Sequence, residues 1–222
     1  MRSPWLALTL LACAAPLPQA TQPNAVAQSV APDSLARLQL ADLAVVAPTI
    51  LREARYATSN NFTGAVLPGY GKPTVLLRRE VAAALGRVQE RLASRGLGLK
   101  VWDGYRPVRA TLAMVAWCER VGRTDLLTDG YIARRSRHNQ GVAVDLTLVE
   151  LASGREIDMG TPFDEFSSRA HTATAQGEVA ARRRLLVEAM AAEGFTNYVS
   201  EWWHFSFVVP DAVPYDLPLE HW

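Results

Sequence analysis

Apolar positions along this chain recur with two different periods, and the changes of period mark its elements. Over residues 79–95, Val81, Leu85, Val88 and Leu92 are spaced by four, three and four. That spacing puts them on one face of an amphipathic helix, with Gly96 as a stop. Residues 97–102 form a short apolar run suited to a buried strand, and Asp103-Gly104-Tyr105-Arg106-Pro107 turns the chain. A second helix is predicted over 108–121. Over 142–149, Val142, Val144, Leu146 and Leu148 alternate with Ala143, Asp145 and Thr147. This is strand periodicity, with Asp145 on the less apolar face.

A further helix is expected over 177–193, closed by Gly194, and a last core strand over 202–209, broken by Pro210. Earlier in the chain, 50–56 reads as the first strand. The turn-rich stretches Asn60-Asn61-Phe62-Thr63-Gly64 and Pro68-Gly69-Tyr70-Gly71 read as loop. Nothing repeats at a fixed period, and strands and helices mix without a regular βαβ rhythm. The expected fold is therefore α+β, a single domain with an antiparallel central sheet flanked by helices.

The N-terminus stands apart from this pattern. Met1-Arg2-Ser3-Pro4 is a short basic start, residues 5–15 are apolar, and small and polar residues follow. Residues 1–20 read as a secretory signal cleaved after Ala20, too short to anchor the chain across a bilayer. A rival reading takes Leu10-Leu11-Ala12-Cys13 as a lipoprotein cleavage box, which would make Cys13 a lipid anchor. Residues 21–34 form a flexible leader rich in Ala, Gln, Pro and Ser, and 35–222 form the domain.

Composition adds two exclusions. The 222 residues are 49% hydrophobic and 20% charged, enough for one well-buried core. A net charge of +1 without a basic run gives no electrostatic footprint for nucleic acid. The chain has two cysteines. With Cys13 removed or acylated, no internal disulfide can form, and Cys118 on its helix reads as a buried, inert thiol.

The polar residues carry the chemistry. Ser136-Arg137-His138-Asn139-Gln140-Gly141-Val142-Ala143-Val144-Asp145 offers an imidazole and a carboxylate seven positions apart. Glu201-Trp202-Trp203-His204 offers a second imidazole with a glutamate three residues before it. Two histidines and one carboxylate form a zinc ligand set that leaves a position open for water. A nearby glutamate could take that water's proton. Each segment alone also fits blander readings: a hydrogen-bonded strand aspartate after a surface loop, a solvated glutamate, a satisfied core histidine. In a regular strand Glu201 and His204 would face opposite sides, so both reach one ion only if Glu201 lies in the approach or at a bulge. Arg106 follows a buried strand and could stabilise an oxyanion, or simply pair with Asp103. Asp158 and Asp164 could meet a cationic part of a substrate, or serve as turn residues.

Together and in this order, these segments resemble the D-alanyl-D-alanine dipeptidases, the VanX-like members of the M15 zinc peptidases. The resemblance spans about 55–209. It rests on Tyr56-Ala57-Thr58, Asn60-Asn61-Phe62-Thr63-Gly64, Trp102-Asp103-Gly104-Tyr105-Arg106-Pro107, the histidine segment running into Asp145-Leu146-Thr147-Leu148, Phe163-Asp164, and Glu201-Trp202-Trp203-His204. It implies one Zn²⁺ bound by His138, Asp145 and His204, with Glu201 as catalytic base and Arg106 stabilising the transition state. It further implies that Asp164 receives the substrate's ammonium group and that Tyr56 and Ser136 contact the dipeptide.

Arg137, Asn139 and Gln140 depart from the family's pattern, which bears on contacts at the substrate's carboxylate end. The signal-like N-terminus departs from the cytoplasmic resistance enzymes and implies export, into the periplasm or onto the envelope. There the substrate would be a small peptide from cell-wall turnover. Two rivals remain at this point: a D,D-carboxypeptidase or endopeptidase on peptidoglycan stems, and a non-catalytic cell-wall binding module with a structural metal.

Overall fold

The computed structural model describes residues 29–222. The signal-like segment, Cys13 and most of the leader lie outside the described residues. The leader's last residues are held in place. Ala31 bridges to Tyr215, and the first helix, α1, already begins at Asp33 (Asp33–Gln39). Next come strand β1 (Leu40–Asp42), helix α2 (Leu43–Val46), strand β2 (Leu51–Arg52) and strand β3 (Leu76–Arg78). They are followed by α3 (Arg79–Ala93), β4 (Leu97–Asp103), α4 (Val108–Arg120), α5 (Asp125–Thr128) and β5 (Ala143–Glu150). The chain ends through α6 (Gly177–Ala191), β6 (Phe195–Asn197) and β7 (His204–Phe207).

Five strands form the central sheet in the order β2-β4-β5-β7-β6, and β1 and β3 make a separate antiparallel pair. The central sheet is antiparallel except at one edge, where β2 runs parallel to β4. The parallel pair is possible because the long connection between the two strands contains α3, and a parallel pair needs such a crossover.

Helix α3 follows its expected face: Val81, Leu85, Val88 and Leu92 are all buried. Each such side chain contributes about 1.5–3 kcal/mol on leaving water. They pack with Leu186 and Met190 of α6 against Leu99, Val101, Val144, Leu146 and Leu148 of the sheet. A second cluster joins Met114 and Cys118 of α4 to Tyr56, Tyr70, Tyr105 and the C-terminal Tyr215, Leu217 and Leu219. Cys118 is a buried free thiol, and burial raises its pKa. Among the described residues, no helix is long and apolar enough to cross a membrane.

Three expectations need correcting. Only Leu51 and Arg52 of the predicted 50–56 strand pair with β4, and Arg55–Ala57 winds into a 3-10 turn. The last strand begins at His204, because Trp202 and Trp203 lie in a turn closed by His204 N–H donating to Glu201 O. On β5, Asp145 and Thr147 are as buried as the apolar positions opposite them. Asp145 lines the cavity described next, whereas Thr147 lines a separate pocket with Trp102 and Trp202.

Candidate active site

His138 sits in a 3-10 turn, Arg137–Gln140, whose ends are both defined. Ser136 caps it, its Oγ accepting from His138 N while its own N–H donates to Asn139 Oδ1. Gly141 closes it in the left-handed conformation, φ 68°. A side chain there would be strained, and its Cβ would lie 2.6 Å from Leu40 Cδ2. The imidazole is oriented by Nδ1 donating to Gly104 O at 2.7 Å, which leaves Nε2 as the bare nitrogen.

Strand register brings the other donors to that nitrogen. Asp145 on β5 is directly opposite His204 on β7 and, on the other side, Asp103 on β4. His204 Nδ1 lies 2.9 Å from Asp145 Oδ1 and 3.2 Å from His138 Nε2. His138 Nε2 is 3.4 Å from the same carboxylate oxygen. All three donor atoms fall within 4.8 Å of one another. Metal–donor bonds of about 2.0–2.1 Å in a tetrahedron give edges of about 3.3–3.4 Å. The observed triangle is close to one face of such a tetrahedron, so the residues fit a small divalent ion with its fourth corner open.

The electrostatics agree with the geometry. Burial lowers the pKa of His204 against the pull of Asp145, favouring the neutral imidazole that a metal requires. Burial alone would raise the Asp145 carboxyl, but His138 and His204 outweigh it and hold it well below the usual range.

Glu201 enters from the turn that precedes β7. Its backbone N–H donates to Tyr198 O, and its carbonyl accepts from Asn197 Nδ2 at 3.0 Å. This is how a glutamate and a histidine of odd separation reach one site: Glu201 is not part of the strand. Its Oε2 lies 3.8 Å from His204 Nδ1, beside the donor triangle. Burial, then the charges of Asp145 and Asp164, push its pKa well above the ordinary value, with Arg106 opposing.

Arg106 does pair with Asp103, as the simpler reading had it, yet it also faces the site. Its Nε and Nη2 donate to Asp103 Oδ2 at 2.9 and 2.7 Å, and Nη2 lies 3.7 Å from Asp145 Oδ2. The guanidinium stacks 5.0 Å from the Tyr56 ring centroid. Burial works against its charge, but Asp103 and its other neighbours keep the pKa well above the ordinary value. Asp103 is in turn fixed by Tyr70, whose hydroxyl donates to Oδ1 at 2.5 Å. Sequence reading offered Asp103 only as an alternative partner that would occupy Arg106, and it missed Tyr70 altogether. Their only signal was proximity to Arg106 and a loop tyrosine flanked by glycines.

Opposite the donor triangle, the Tyr56 hydroxyl donates to Asp164 at 3.0 Å. Asp164 adopts a left-handed backbone, φ 60°, an uncommon conformation for a non-glycine residue. Burial and the charge of Asp145 push its carboxyl up to about 8. Asp158, by contrast, is an exposed turn residue accepting from Gly160 N at 2.8 Å.

Of the nine residues singled out from sequence, eight line one cavity of about 260 Å³: Tyr56, Arg106, Ser136, His138, Asp145, Asp164, Glu201 and His204, with Asp158 outside it. Tyr131, Arg135, Phe166 and Tyr198 are among its other lining residues and had not been expected.

Known proteins place this arrangement in context. Residues 36–218 match the family model for D-Ala-D-Ala dipeptidases of the M15 peptidases. A D-alanyl-D-alanine dipeptidase of Streptomyces coelicolor is 38% identical over 185 residues, covering 75% of this chain and 91% of that protein. The enzyme of the same name from Enterococcus faecalis is 37% identical, covering 70% and 85%. That from Escherichia coli is 36% identical, covering 81% and 89%.

Proposed function

The chain belongs to the D-Ala-D-Ala dipeptidase family of M15 peptidases, and on that premise we propose that it hydrolyses D-Ala-D-Ala to two D-alanines with one Zn²⁺. The observation that carries the reading is the single cavity in which the donor triangle, a non-ligand glutamate, a rigid arginine and a second buried carboxylate converge. His138, Asp145 and His204 would hold the ion. When bound, zinc supplies a Lewis acid for the scissile carbonyl and lowers the pKa of water at its open position.

The chain's own residues do the remainder. Glu201 accepts a proton from the attacking water and passes it to the departing amine. Its raised proton affinity suits a group that must hold the proton between those two steps. Arg106, immobilised by Asp103, presents a fixed positive charge to the oxyanion as it develops, without reorganising at that moment. Asp164 receives the free ammonium of the first residue. Burial and Asp145 hold Asp164 toward its neutral form, and an ammonium beside it would favour the carboxylate. An N-acylated stem peptide offers an uncharged amide there instead, and so leaves the carboxylate without a counter-charge.

We place the enzyme outside the cytoplasm, in the periplasm or on the envelope. The basic start, the apolar 5–15 segment and the small residues around Ala20 support this. Its substrate there would be dipeptide released by wall turnover. The decisive assay measures zinc content and amino-group release with D-Ala-D-Ala, L-Ala-L-Ala and N-acetyl-D-Ala-D-Ala. The expected result is about one zinc per chain and rapid release from the free D,D-dipeptide alone. Preferential cleavage of the acylated peptide would make the protein a carboxypeptidase.

A further inference from the structure

The dipeptide substrate is a zwitterion, and the residues considered so far account for only one of its ends. Asp164 answers the ammonium; the terminal carboxylate has no assigned partner. Arg106 is committed, both of its carboxylate-facing nitrogens being drawn to Asp103 with Asp145 close by. The other arginines lining the cavity, Arg135 and Arg137, lie in Ala133-Arg134-Arg135-Ser136-Arg137, beside Arg134, which does not line it. Arg134 pairs with Glu119 at 2.8 Å. Arg137 Nη2 donates to Phe207 O at 2.7 Å. Among the described residues Arg135 has neither an ion-pair nor a hydrogen-bond partner, and it is exposed where it lines the cavity.

The backbone carrying Arg135 is nevertheless fixed on both sides. Before it, the Tyr198 hydroxyl donates to Gly130 O at 3.2 Å. Ile132 is buried and its N–H donates to Leu126 O. Tyr131 Oη lies 2.9 Å from His171 Nε2. After it, Ser136 is locked into the cap of the histidine turn. A cation with unused donors on an anchored segment is suited to a planar anion, and a guanidinium matches a carboxylate through two parallel hydrogen bonds.

We propose that Arg135 binds the substrate's terminal carboxylate and so restricts the enzyme to peptides with a free C-terminus. The assignment rests on the dipeptidase reading. The Ser136 hydroxyl accepts from His138 N, so its own proton remains available to the same carboxylate.

The test compares D-Ala-D-Ala with D-Ala-D-alaninamide for the zinc-loaded wild type, Arg135→Gln and Arg135→Lys. For the free acid, Arg135→Gln should raise KM roughly tenfold to a hundredfold, the range for a hydrogen bond to a charged group. Its kcat should stay within about threefold, as for binding made equally in ground and transition states. Arg135→Lys should recover part of the loss. The amide should be a poor substrate for all three proteins, with a KM indifferent to the substitution. Dipeptide binding to the zinc-loaded Glu201→Gln protein, followed by calorimetry, should weaken by the same factor when Arg135→Gln is added. An unchanged KM and affinity for the free acid, or equal loss on acid and amide, would overturn the role of Arg135 and leave the dipeptidase reading intact. A wild type inert on D-Ala-D-Ala would remove both.

Discussion

At the scale of single residues, the site is a set of charges whose environments push them apart. Glu201 and Asp164 are driven toward their neutral forms, first by burial and then by neighbouring carboxylates. Asp145 is driven toward its charged form by two imidazoles. A divalent ion held by the donor triangle beside Glu201 would favour its ionised form, the one able to accept a proton, while Asp145 would serve as a ligand. Replacing Glu201 by Gln should lower kcat by about 10²–10⁴-fold, the usual worth of a positioned acid–base group. Zinc content should be unchanged, because Glu201 lies outside the donor triangle. Loss of metal together with activity would make it a ligand instead.

The same shifts have a consequence for stability. Asp164 binds its proton more tightly in the folded chain than in the unfolded one. Its contribution to stability is therefore complete below the ordinary carboxylate range and is lost as pH rises through about 8. Glu201 acts in the same direction. In the metal-free protein these two groups should lower the melting temperature from about pH 4 toward pH 8, while His204, whose pKa burial lowers, works against them up to its ordinary range. Asp164→Asn should flatten that dependence, which scans across pH on the chelated protein would show. A parallel slope in wild type and variant would mean that Asp164 is already ionised at low pH.

At the scale of elements, the site depends on how short segments begin and end. The 3-10 turn bearing His138 is capped by Ser136 and closed by Gly141, and β5 starts two residues later with Asp145 three positions into it. Gly141 thus sets the distance between two donors. Gly141→Ala introduces a residue at positive φ and a Cβ 2.6 Å from Leu40 Cδ2. Strain of this kind costs about 1–3 kcal/mol, and movement of the turn would separate His138 from Asp145. The expected outcome is a lower melting temperature together with weaker zinc affinity. Ser136→Ala removes the cap, worth about 1 kcal/mol, but leaves Gly141 to close the turn. It should reduce stability with a smaller effect on zinc, and denaturant unfolding alongside zinc titration separates the two cases.

At the scale of the whole molecule, what could be read from the sequence follows element length. Helix α3 and strand β5 were legible from their periods, β4 from its apolar run, and α4 and α6 from uninterrupted stretches bounded by proline or glycine. Strands β1, β3 and β6 have three residues each, too few for alternation to register, and they are fixed by partners elsewhere in the chain. The donor residues could be named from local motifs. Their convergence was implied only by the family resemblance, because physically it comes from the register of β5 against both β4 and β7. Tyr70 stayed hidden for the same reason: its role exists only once the β4 end and the Tyr70 loop meet behind Arg106, whereas the local Asp103–Arg106 pair could be named.

That architecture predicts how the metal acts on stability. His204 is 59 residues from Asp145 and 66 from His138, so an ion held by all three ties β7 to β5 and the histidine turn. An unfolded chain would have to bring these donors together at the expense of loop entropy. Binding confined to the folded state adds about 4 kcal/mol when free ion is about a thousand times Kd. For a chain of this size that corresponds to a melting shift on the order of 10 °C. A strong chelator should lower the melting temperature by this order, and added zinc should restore it. His204→Ala should melt at the same temperature with or without chelator, because its two remaining donors lie seven residues apart and no longer link β7 to the rest. A chelator-dependent shift that persists in His204→Ala would mean that the ion stabilises the chain from some other place.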